Sequence, residues 1–443
     1  MIPSADDSNV VLNVTSRMKF LPVVTSFVEQ TARAISLGKK EALALTLAAE
    51  EIFTYLCRLT TSICNLKIYC TDMGYGVRTD FVFAAANFSL RAFNLTAAVA
   101  VDDTASLDEM GLLIASRSVD WFEFFEDQEH TLHLSLIKEK RYPEVKPEAV
   151  LPVQPSTQFE IVRADSDNLK VFAGRVLRYY PEILTPTVCR YPGKLVDMVS
   201  SGSMSAALAL DSSKTADAEV EGGILWAPFN QHTIECFGPF VFNHPASNAI
   251  SEALLDTCMG DIAHTPSVAL INRFPTPELP PGYFESLGTL DIRSSGAVTT
   301  MPVYFRQLKE DPGARVWGHV DIEAFLRREY DRLSLPRRIT MFQDVGEMQN
   351  SDSVLSTIFD RIRGQITLSP VCPGTDMARN IKQHIQLLQN ESAAEIFFEI
   401  DTGRSWQLAF VPALLQNGFK PKMLVPYGSS ADMITFQWGP ASS

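Results

Sequence analysis

The sequence predicts a mixed α/β protein of about three modules. Its 443 residues exceed the usual size of one domain, which is roughly 150 residues. Hydrophobic residues make up 46% of the chain and charged residues 20%, as in ordinary globular proteins, so most of it should fold. Helix-like and strand-like segments alternate along the sequence, and this alternation favours layered α/β domains.

The charge and cysteine content exclude several classes of partner. Acidic residues outnumber basic ones by 52 to 38, and a net charge of -14 disfavours phosphate backbones and anionic lipids. The seven cysteines form no CxxC pair, which favours reduced thiols over disulfides or zinc. The first residues lack a basic segment followed by an apolar run, so we expect no secretory signal. These features predict a cytoplasmic protein without a nucleic-acid or membrane partner.

A proline-rich segment and a segment with a weak helix and strand pattern set the predicted domain boundaries. Four prolines lie in residues 141–157, where they remove backbone donors and favour an extended chain. We therefore predict a proline-rich linker at 143–157. The complete division is a first domain at 1–142, the linker, a second domain at 158–296, a connecting segment at 297–335 and a third domain at 336–443.

The first domain has the pattern of an α/β sandwich. Two helices are expected before residue 60, because apolar residues recur there at helical spacing. Strand-like stretches follow at 66–70, 80–85, 89–93 and 131–137. A glycine turn at Gly111 is expected to open a third helix. In the final strand Leu132, Leu134 and Leu136 alternate, as on the buried face of a sheet.

Residues 10–140 resemble the anti-sigma-factor serine kinases, which have the histidine-kinase-type ATPase fold. The segments that carry the resemblance are LTLAAEEIFTY, SLRAFNLT and GLLIASRSVD, in that order. The resemblance implies an ATP site with magnesium, in which Glu51 keeps the magnesium-binding glutamate. Asn94 stands at the adenine-reading aspartate, and Gly111 remains from the second glycine box. Tyr55 replaces the second magnesium ligand, so ATP is expected to bind poorly.

The second domain resembles GNAT-type N-acetyltransferases across residues 158–292. A strand, two helices, three strands, a helix and a further strand follow one another, ending near GYFESLG. The resemblance implies that coenzyme A binds where a strand opens into a helix, at His244, Ala246, Ser247, Asn248 and Ala249. It also implies Glu235 as the general base and Tyr283, beside Phe284, as the general acid. The junction has no glycine and includes Pro245, so Ser247 or Asn248 can alternatively be a plain helix cap.

The third domain repeats parts of this pattern. We predict strands at RITMFQDV, GQITLSPV, AEIFFEID and DMITFQW, with helices at SVLSTIFDRI and DMARNIKQHIQLLQ. The ending LLQNGF looks like the closing signature of the acetyltransferases, with Gly418 and Phe419 kept. Residues 372–376, CPGTD, are interpreted either as an anion-holding turn or as an acidic helix cap.

The missing motif residues favour a bacterial regulatory or signalling protein. We expect a degenerate anti-sigma-kinase-like module fused to two acetyltransferase-like modules, acting by binding another protein of a signalling pathway or a small molecule. One alternative is an N-acyltransferase that uses acetyl-CoA, and another is a divergent ATP-dependent serine kinase. Oligomers are compatible with all three hypotheses.

Overall fold

The chain forms two compact units. The first comprises Met1–Tyr142 together with Val354–Ser356, and the second comprises Pro143–Ser353 and Thr357–Ser443. Helices pack on sheets in both units, which confirms the predicted α/β class. The computed structural model describes residues 9–35, 37–59, 64–84, 91–96, 104–126, 131–146, 158–213, 219–242, 247–294, 297–311, 313–344, 346, 350–360, 363–390 and 395–439.

Within its described residues, the first unit contains five antiparallel strands and three α-helices. They are β1 (Asn9–Thr15), α1 (Leu21–Ala34), α2 (Lys39–Leu59), β2 (Asn65–Asp72), β3 (Gly76–Ala84), α3 (Thr104–Ser118), β4 (Trp121–Glu126) and β5 (Thr131–Glu139). The order across the sheet is β1-β2-β3-β5-β4. Leu132, Leu134 and Leu136 of β5 are buried, because a period of two places them on one face.

Some predictions for this unit were wrong. Strands β1 and β4 were not predicted, and the expected strand at 89–93 is a short 3-10 helix, Arg91–Phe93, within its described part. Helix α3 begins at Thr104, so Gly111 lies inside the helix and not in a turn before it. The weakly patterned residues before Gly111 become helical despite their acidic side chains.

The second unit begins with a seven-stranded sheet and three helices. They are β6 (Phe159–Arg163), α4 (Ser166–Tyr179), α5 (Pro192–Ser200), β7 (Ser205–Asp211), β8 (Val220–Pro228), β9 (Thr233–Val241), α6 (Ser247–Ala263), β10 (Ala269–Asn272), β11 (Glu285–Ser294) and β12 (Ala297–Gln307). The strand order is β11-β12-β10-β9-β8-β7-β6. Strands β9 and β10 are parallel, and α6 supplies the crossover that parallel neighbours require.

Strand β12 lies where the sequence predicted the start of a connecting segment, 297–335. It pairs with β10 on one side and β11 on the other, so it is an inner strand of the sheet. Its alternating residues Met301, Val303 and Phe305 are buried, which explains why this stretch joins the sheet. The rest of the segment contains β13 (Ala314–Gly318) and α7 (Glu323–Arg332).

A second sheet completes this unit. It follows β14 (Arg337–Met341), which pairs with β13. The elements of this sheet are β15 (Val354–Asp360), β16 (Gln365–Cys372), α8 (Met377–Asn390), β17 (Glu395–Asp401), α9 (Val411–Gln416), β18 (Phe419–Val425) and β19 (Met433–Trp438). Residues 354–356 of β15 are those assigned to the first unit, and residues 357–360 belong to the second. The strand order is β15-β16-β17-β19-β18. The helix predicted at SVLSTIFDRI was wrong, because β15 is a strand. Val354, Thr357 and Ile358 are β-branched, and such side chains favour the extended conformation.

Arg363 connects the two sheets of the second unit. Its Nε donates to the carbonyl oxygen of Ile183 at 2.8 Å, and its Nη2 donates to that of Thr185 at 3.0 Å. The guanidinium lies 3.8 Å from the ring centroid of Phe274. These contacts join the start of β16 to the α4–α5 connection.

No helix in the described part of the chain has the length and apolar character needed to cross a membrane.

Candidate functional site

The two parallel strands of the seven-stranded sheet separate after three paired positions. Residues 269–271 of β10 pair with 233–235 of β9, so Glu235 is the last residue of β9 that pairs with β10. Beyond it, β9 continues to Val241 through Gly238, whose φ of 96° favours glycine. Diverging strands leave a free backbone edge, and an extended ligand can add to such an edge as another strand.

Side chains of the protein itself occupy this edge of β9. Asn272 Nδ2 donates to the carbonyl oxygen of Gly238 at 2.8 Å, and Thr276 Oγ1 donates to that of Pro239 at 2.5 Å. The Tyr180 hydroxyl donates to the carbonyl oxygen of Val241 at 3.0 Å and accepts from its amide at 2.7 Å. A ligand that paired with β9 here would have to displace these internal hydrogen bonds.

Glu235 is held in a bidentate ion pair. Arg273, just after β10, donates from Nε to Oε1 at 2.7 Å and from Nη2 to Oε2 at 2.9 Å. The Glu235 side chain is only 8% exposed, and the guanidinium lies 5.0 Å from the Phe229 ring centroid. Fork-to-fork pairs of this kind are among the strongest hydrogen-bonded contacts in proteins. The negative charge of Glu235, the predicted general base, is therefore balanced by the fixed positive charge of Arg273.

A second carboxylate, Glu399 of β17, faces the same guanidinium. Burial raises the pKa of Glu399 above its usual value, Arg273 opposes this shift, and Glu235 adds to it. For Arg273, burial alone would lower the pKa, but Glu235, Glu399 and Asp360 together raise it. Asp360 is itself paired with Arg363 at 2.7 Å. We call Glu235, Arg273, Glu399 and Asp360 the acid–arginine cluster.

The cluster leaves Glu399 as the carboxylate best suited to proton transfer. Arg273 is committed to Glu235 and Arg363 to Asp360, whereas the raised pKa of Glu399 favours holding a proton closer to neutral pH. Sequence reasoning missed Glu399 and Arg273. The signal for Glu399 was present, because a charged residue interrupts the apolar run FFEI of a buried strand.

The start of α6 is the position predicted for coenzyme A. His244 and Ala246 lie outside the described residues. Ser247 opens the helix and is half-buried, while Asn248 and Ala249 are exposed. The first turn of a helix can bind an anion through its backbone amides. Three of the five predicted cofactor-binding residues are thus placed on one helical turn.

Tyr283 lies away from Glu235. Glu235, Ile271, Phe305 and Glu285 occupy one row across β9, β10, β12 and β11, and Tyr283 precedes Glu285 by two residues. Three spacings between neighbouring strands separate Glu235 from Glu285, a distance of about 14 Å. The Tyr283 hydroxyl donates to Asp256 Oδ1 at 3.5 Å, and burial followed by Asp256 raises its pKa. The structure therefore does not bring the predicted acid and base together.

The turn after β16 is covered by the protein's own backbone. The amide of Thr375 donates to the carbonyl oxygen of Asn350 at 2.9 Å, and Asp376 accepts from the amide of Ser353 at 2.6 Å. Asn380 Nδ2 donates to the carbonyl oxygen of Ser353 at 2.8 Å. A side chain at Gly374 would collide with the backbone of Asp352 and Ser353. Residues 350–353, named here the cover segment, thus occupy the predicted anion-holding turn. The side chain of Asp376 binds this segment, and its carbonyl oxygen accepts the amide of Asn380 in the first turn of α8.

Glu51 and Gly111 meet between α2 and α3 of the first unit. A Cβ at Gly111 would contact the Glu51 carboxylate, so the missing side chain lets the two helices accommodate that group. Tyr55, one turn after Glu51, is only 5% exposed. Gly111 lies inside a helix, and there its amide is not presented to a phosphate as in a glycine-rich turn. The contact between Glu51 and Gly111 is one of helix packing.

Asn94 is a buried hydrogen-bond acceptor. It is 6% exposed, and its Oδ1 accepts the backbone amide of Leu355 at 2.9 Å within the first unit. Buried amide side chains are normally satisfied in this way. The group that the resemblance assigned to adenine recognition is bound to the protein backbone.

Among the described side chains, no group of three or more His, Cys, Asp or Glu residues could hold a metal ion.

The solved structures that resemble this chain include two described as acetyltransferases. No protein-family model and no curated protein matches the chain. A solved aminoglycoside 6'-acetyltransferase of type Ii is 15% identical, with a TM-score of 0.28 over 34% of this chain and 99% of that chain. A protein assigned to the GNAT family from Desulfovibrio desulfuricans is 16% identical, with a TM-score of 0.27 over 34% of this chain and 100% of that chain. The kinase resemblance of residues 10–140 stays a prediction.

Proposed function

We propose that the chain is a regulatory protein whose acetyltransferase-like modules bind without transferring an acyl group. An ATPase-fold-like first module accompanies them, and the partner would be another protein of a signalling pathway. Acidic net charge supports a protein or small-molecule partner over nucleic acid. The function proposed here is therefore recognition, with the α/β modules acting as the rigid frame.

One observation carries this proposal: the groups that carrier-dependent acyl transfer would need are already bound within the chain. Asn272, Thr276 and Tyr180 occupy the edge of β9. The cover segment occupies the turn before α8, and Arg273 neutralises Glu235. Opening these sites would leave several buried polar groups unsatisfied, each at a cost of about 1–3 kcal/mol.

The second candidate is an N-acyltransferase that uses acetyl-CoA. Glu399 favours it, because a carboxylate with a raised pKa beside an arginine is a plausible general base. The start of α6 also offers backbone amides for a phosphate group. The serine kinase alternative has no comparable support, since Asn94 and Gly111 both serve internal packing.

Thiol release from acetyl-CoA separates the two candidates. The full-length protein is incubated with acetyl-CoA and a panel of primary amines, and free coenzyme A is measured with a thiol reagent. We expect no release above the protein-free rate. Turnover that disappears in Glu399→Gln but persists in the exposed control Glu160→Gln would establish the acyltransferase and reject the binding-only proposal.

Incubation with magnesium-ATP tests the first module in the same preparation. We expect no saturable binding, because the described groups at the adenine and phosphate positions are engaged in the fold. Binding that is lost in Glu51→Ala would support the kinase reading instead.

A further inference from the structure

A cavity of about 440 Å³ lies beside the α4–α5 connection, separate from the acid–arginine cluster. Its apolar walls are Val145, Leu177 and the ring of Tyr180, and its polar groups include Thr185, Glu182 and Arg190. The amide of Val145 donates to the carbonyl oxygen of Arg190 at 2.9 Å, which fixes one wall to the other. Cavities of roughly 300–1,000 Å³ with few polar groups are typical small-molecule sites.

Arg190 has one buried donor atom without a partner among the described residues of this cavity. Its Nη1 donates to Glu144 at 3.1 Å, and its Nη2 pairs with Glu182. Its Nε is buried and has no hydrogen-bond partner among the described residues. Buried donors are rarely left unsatisfied in folded proteins. This N–H is therefore available to donate to an oxygen acceptor of a molecule bound in the cavity.

The charges around Arg190 select the kind of acceptor. Glu144 and Glu182 pair with the guanidinium, and Lys146 also lines the cavity, so two negative and two positive side chains balance in its wall. A ligand carboxylate or phosphate beside Nε would be repelled by the two carboxylates, with no net positive charge to offset them. A cationic ligand would meet the guanidinium itself. A neutral carbonyl oxygen can accept from Nε without either conflict.

We propose that this cavity binds a neutral ligand through a carbonyl oxygen, with an aromatic or aliphatic body against Leu177 and Tyr180. An amide fits this description. The site goes beyond the proposed function and stands whether or not acyl transfer occurs, because it shares no residue with the acid–arginine cluster. It gives the second unit a candidate sensor pocket.

Three probes with one ring and different charge test the ligand class. Benzamide, benzoate and benzylamine are titrated into the full-length protein and followed by ligand-observed NMR. Benzamide is expected to bind with a Kd on the order of 1 mM, as suits so small a molecule. Benzoate and benzylamine should bind at least tenfold more weakly. Absence of benzamide binding at 20 mM, or equal binding of either charged probe, overturns the proposal.

Matched variants of α4 locate the site. Leu177→Trp fills the cavity and should weaken benzamide binding at least tenfold, whereas Val171→Trp, at an exposed position of the same helix, should leave it unchanged. Arg190→Lys keeps the charge but removes Nε, and it should weaken benzamide binding at least fivefold. This second variant keeps the test available if Leu177→Trp fails to fold. Benzamide binding that survives both cavity variants contradicts the assignment.

Discussion

At the scale of single residues, the Glu235–Arg273 pair should be costly to break. Replacing Arg273 with Met leaves Glu235, only 8% exposed, without its partner. Removing one member of a fully buried pair costs about 3–5 kcal/mol. Arg273 is 31% exposed, so solvent screening reduces the expected loss to about 2 kcal/mol. Urea unfolding followed by tryptophan fluorescence measures this loss.

The control for this change is the exposed pair of α7. Arg327→Met breaks a contact to Glu323 in which the arginine is 62% exposed, and its expected cost is below about 0.5 kcal/mol. The double variant Arg273→Met with Glu235→Gln should regain part of the lost stability. Equal losses for Arg273→Met and Arg327→Met would mean that Glu235 does not depend on its partner.

His384 should make stability depend on pH. It is fully buried in α8, and burial lowers its pKa below the usual 6.5, opposed by its hydrogen bond to the Asn380 carbonyl oxygen. Well above pH 6.5 both the folded and unfolded chains carry a neutral ring. Below it the unfolded chain takes up a proton that the folded chain resists, so stability falls.

This effect amounts to at most about 1 kcal/mol between pH 7.5 and pH 5.5, a limit set by the pKa of the unfolded chain. The variant His384→Leu lacks the titrating ring and should lose less stability over the same interval. Urea unfolding at the two pH values gives the comparison. A variant with the same pH dependence as the wild type would show that His384 is not responsible.

The residues of the candidate site were only partly predictable. Glu235 was named through the acetyltransferase resemblance, which depends on a local order of a strand before a turn and a helix. Its partner Arg273 lies 38 residues further along, and the pair is created by the parallel register of β9 and β10. No periodicity in the sequence encodes such a register. Glu399 enters the same cluster from another sheet, so only tertiary structure brings it there.

At the scale of elements, Gly111 distinguishes a helix from a phosphate-binding turn. It lies inside α3, where alanine is favoured over glycine by about 1 kcal/mol. The new methyl group meets the end of the flexible Glu51 side chain, which can rotate aside. Gly111→Ala should therefore stabilise the first unit, by up to about 1 kcal/mol in thermal or urea unfolding. A clear destabilisation would indicate that glycine is required there.

The cover segment gives the opposite expectation for another glycine. At Gly374 a methyl group would meet the backbone of Asp352 and Ser353, which cannot rotate away. Gly374→Ala should destabilise the second unit by about 2 kcal/mol or more, as overpacking does. Gly439→Ala, which meets nothing within 4 Å, is the matched control. Urea unfolding of the two variants should differ clearly, and similar values would argue against a tightly seated segment.

Elements with strong periodicity were the predictable part of the fold. Alternating Leu132, Leu134 and Leu136 identified β5, and the central block from β6 to β10 appears in its predicted order. The exceptions are short or mixed patterns. Strand β15 was predicted as a helix, yet its β-branched residues and its pairing partner β16 decide the outcome.

At the scale of the whole molecule, the second unit should fold without the first. Its two sheets are joined by internal contacts such as Arg363 with Thr185 and Lys422 with Asp291. We expect a fragment of residues 143–443 to unfold in one cooperative urea transition. The fragment 1–142 lacks Leu355, which satisfies buried Asn94, and it should be less stable than the first unit of the intact chain. A non-cooperative transition in 143–443 would contradict the assignment of that unit.

The central claim is that the protein's own groups occupy the edge of β9 and the turn before α8, two positions where an acyl carrier would bind. Calorimetric titration of acetyl-CoA into the full-length protein tests this claim most directly. We predict no saturable heat at concentrations up to 1 mM, on the order of the weakest affinities that such a measurement resolves. Micromolar binding that is weakened by Ser247→Pro, at the start of α6, would contradict it.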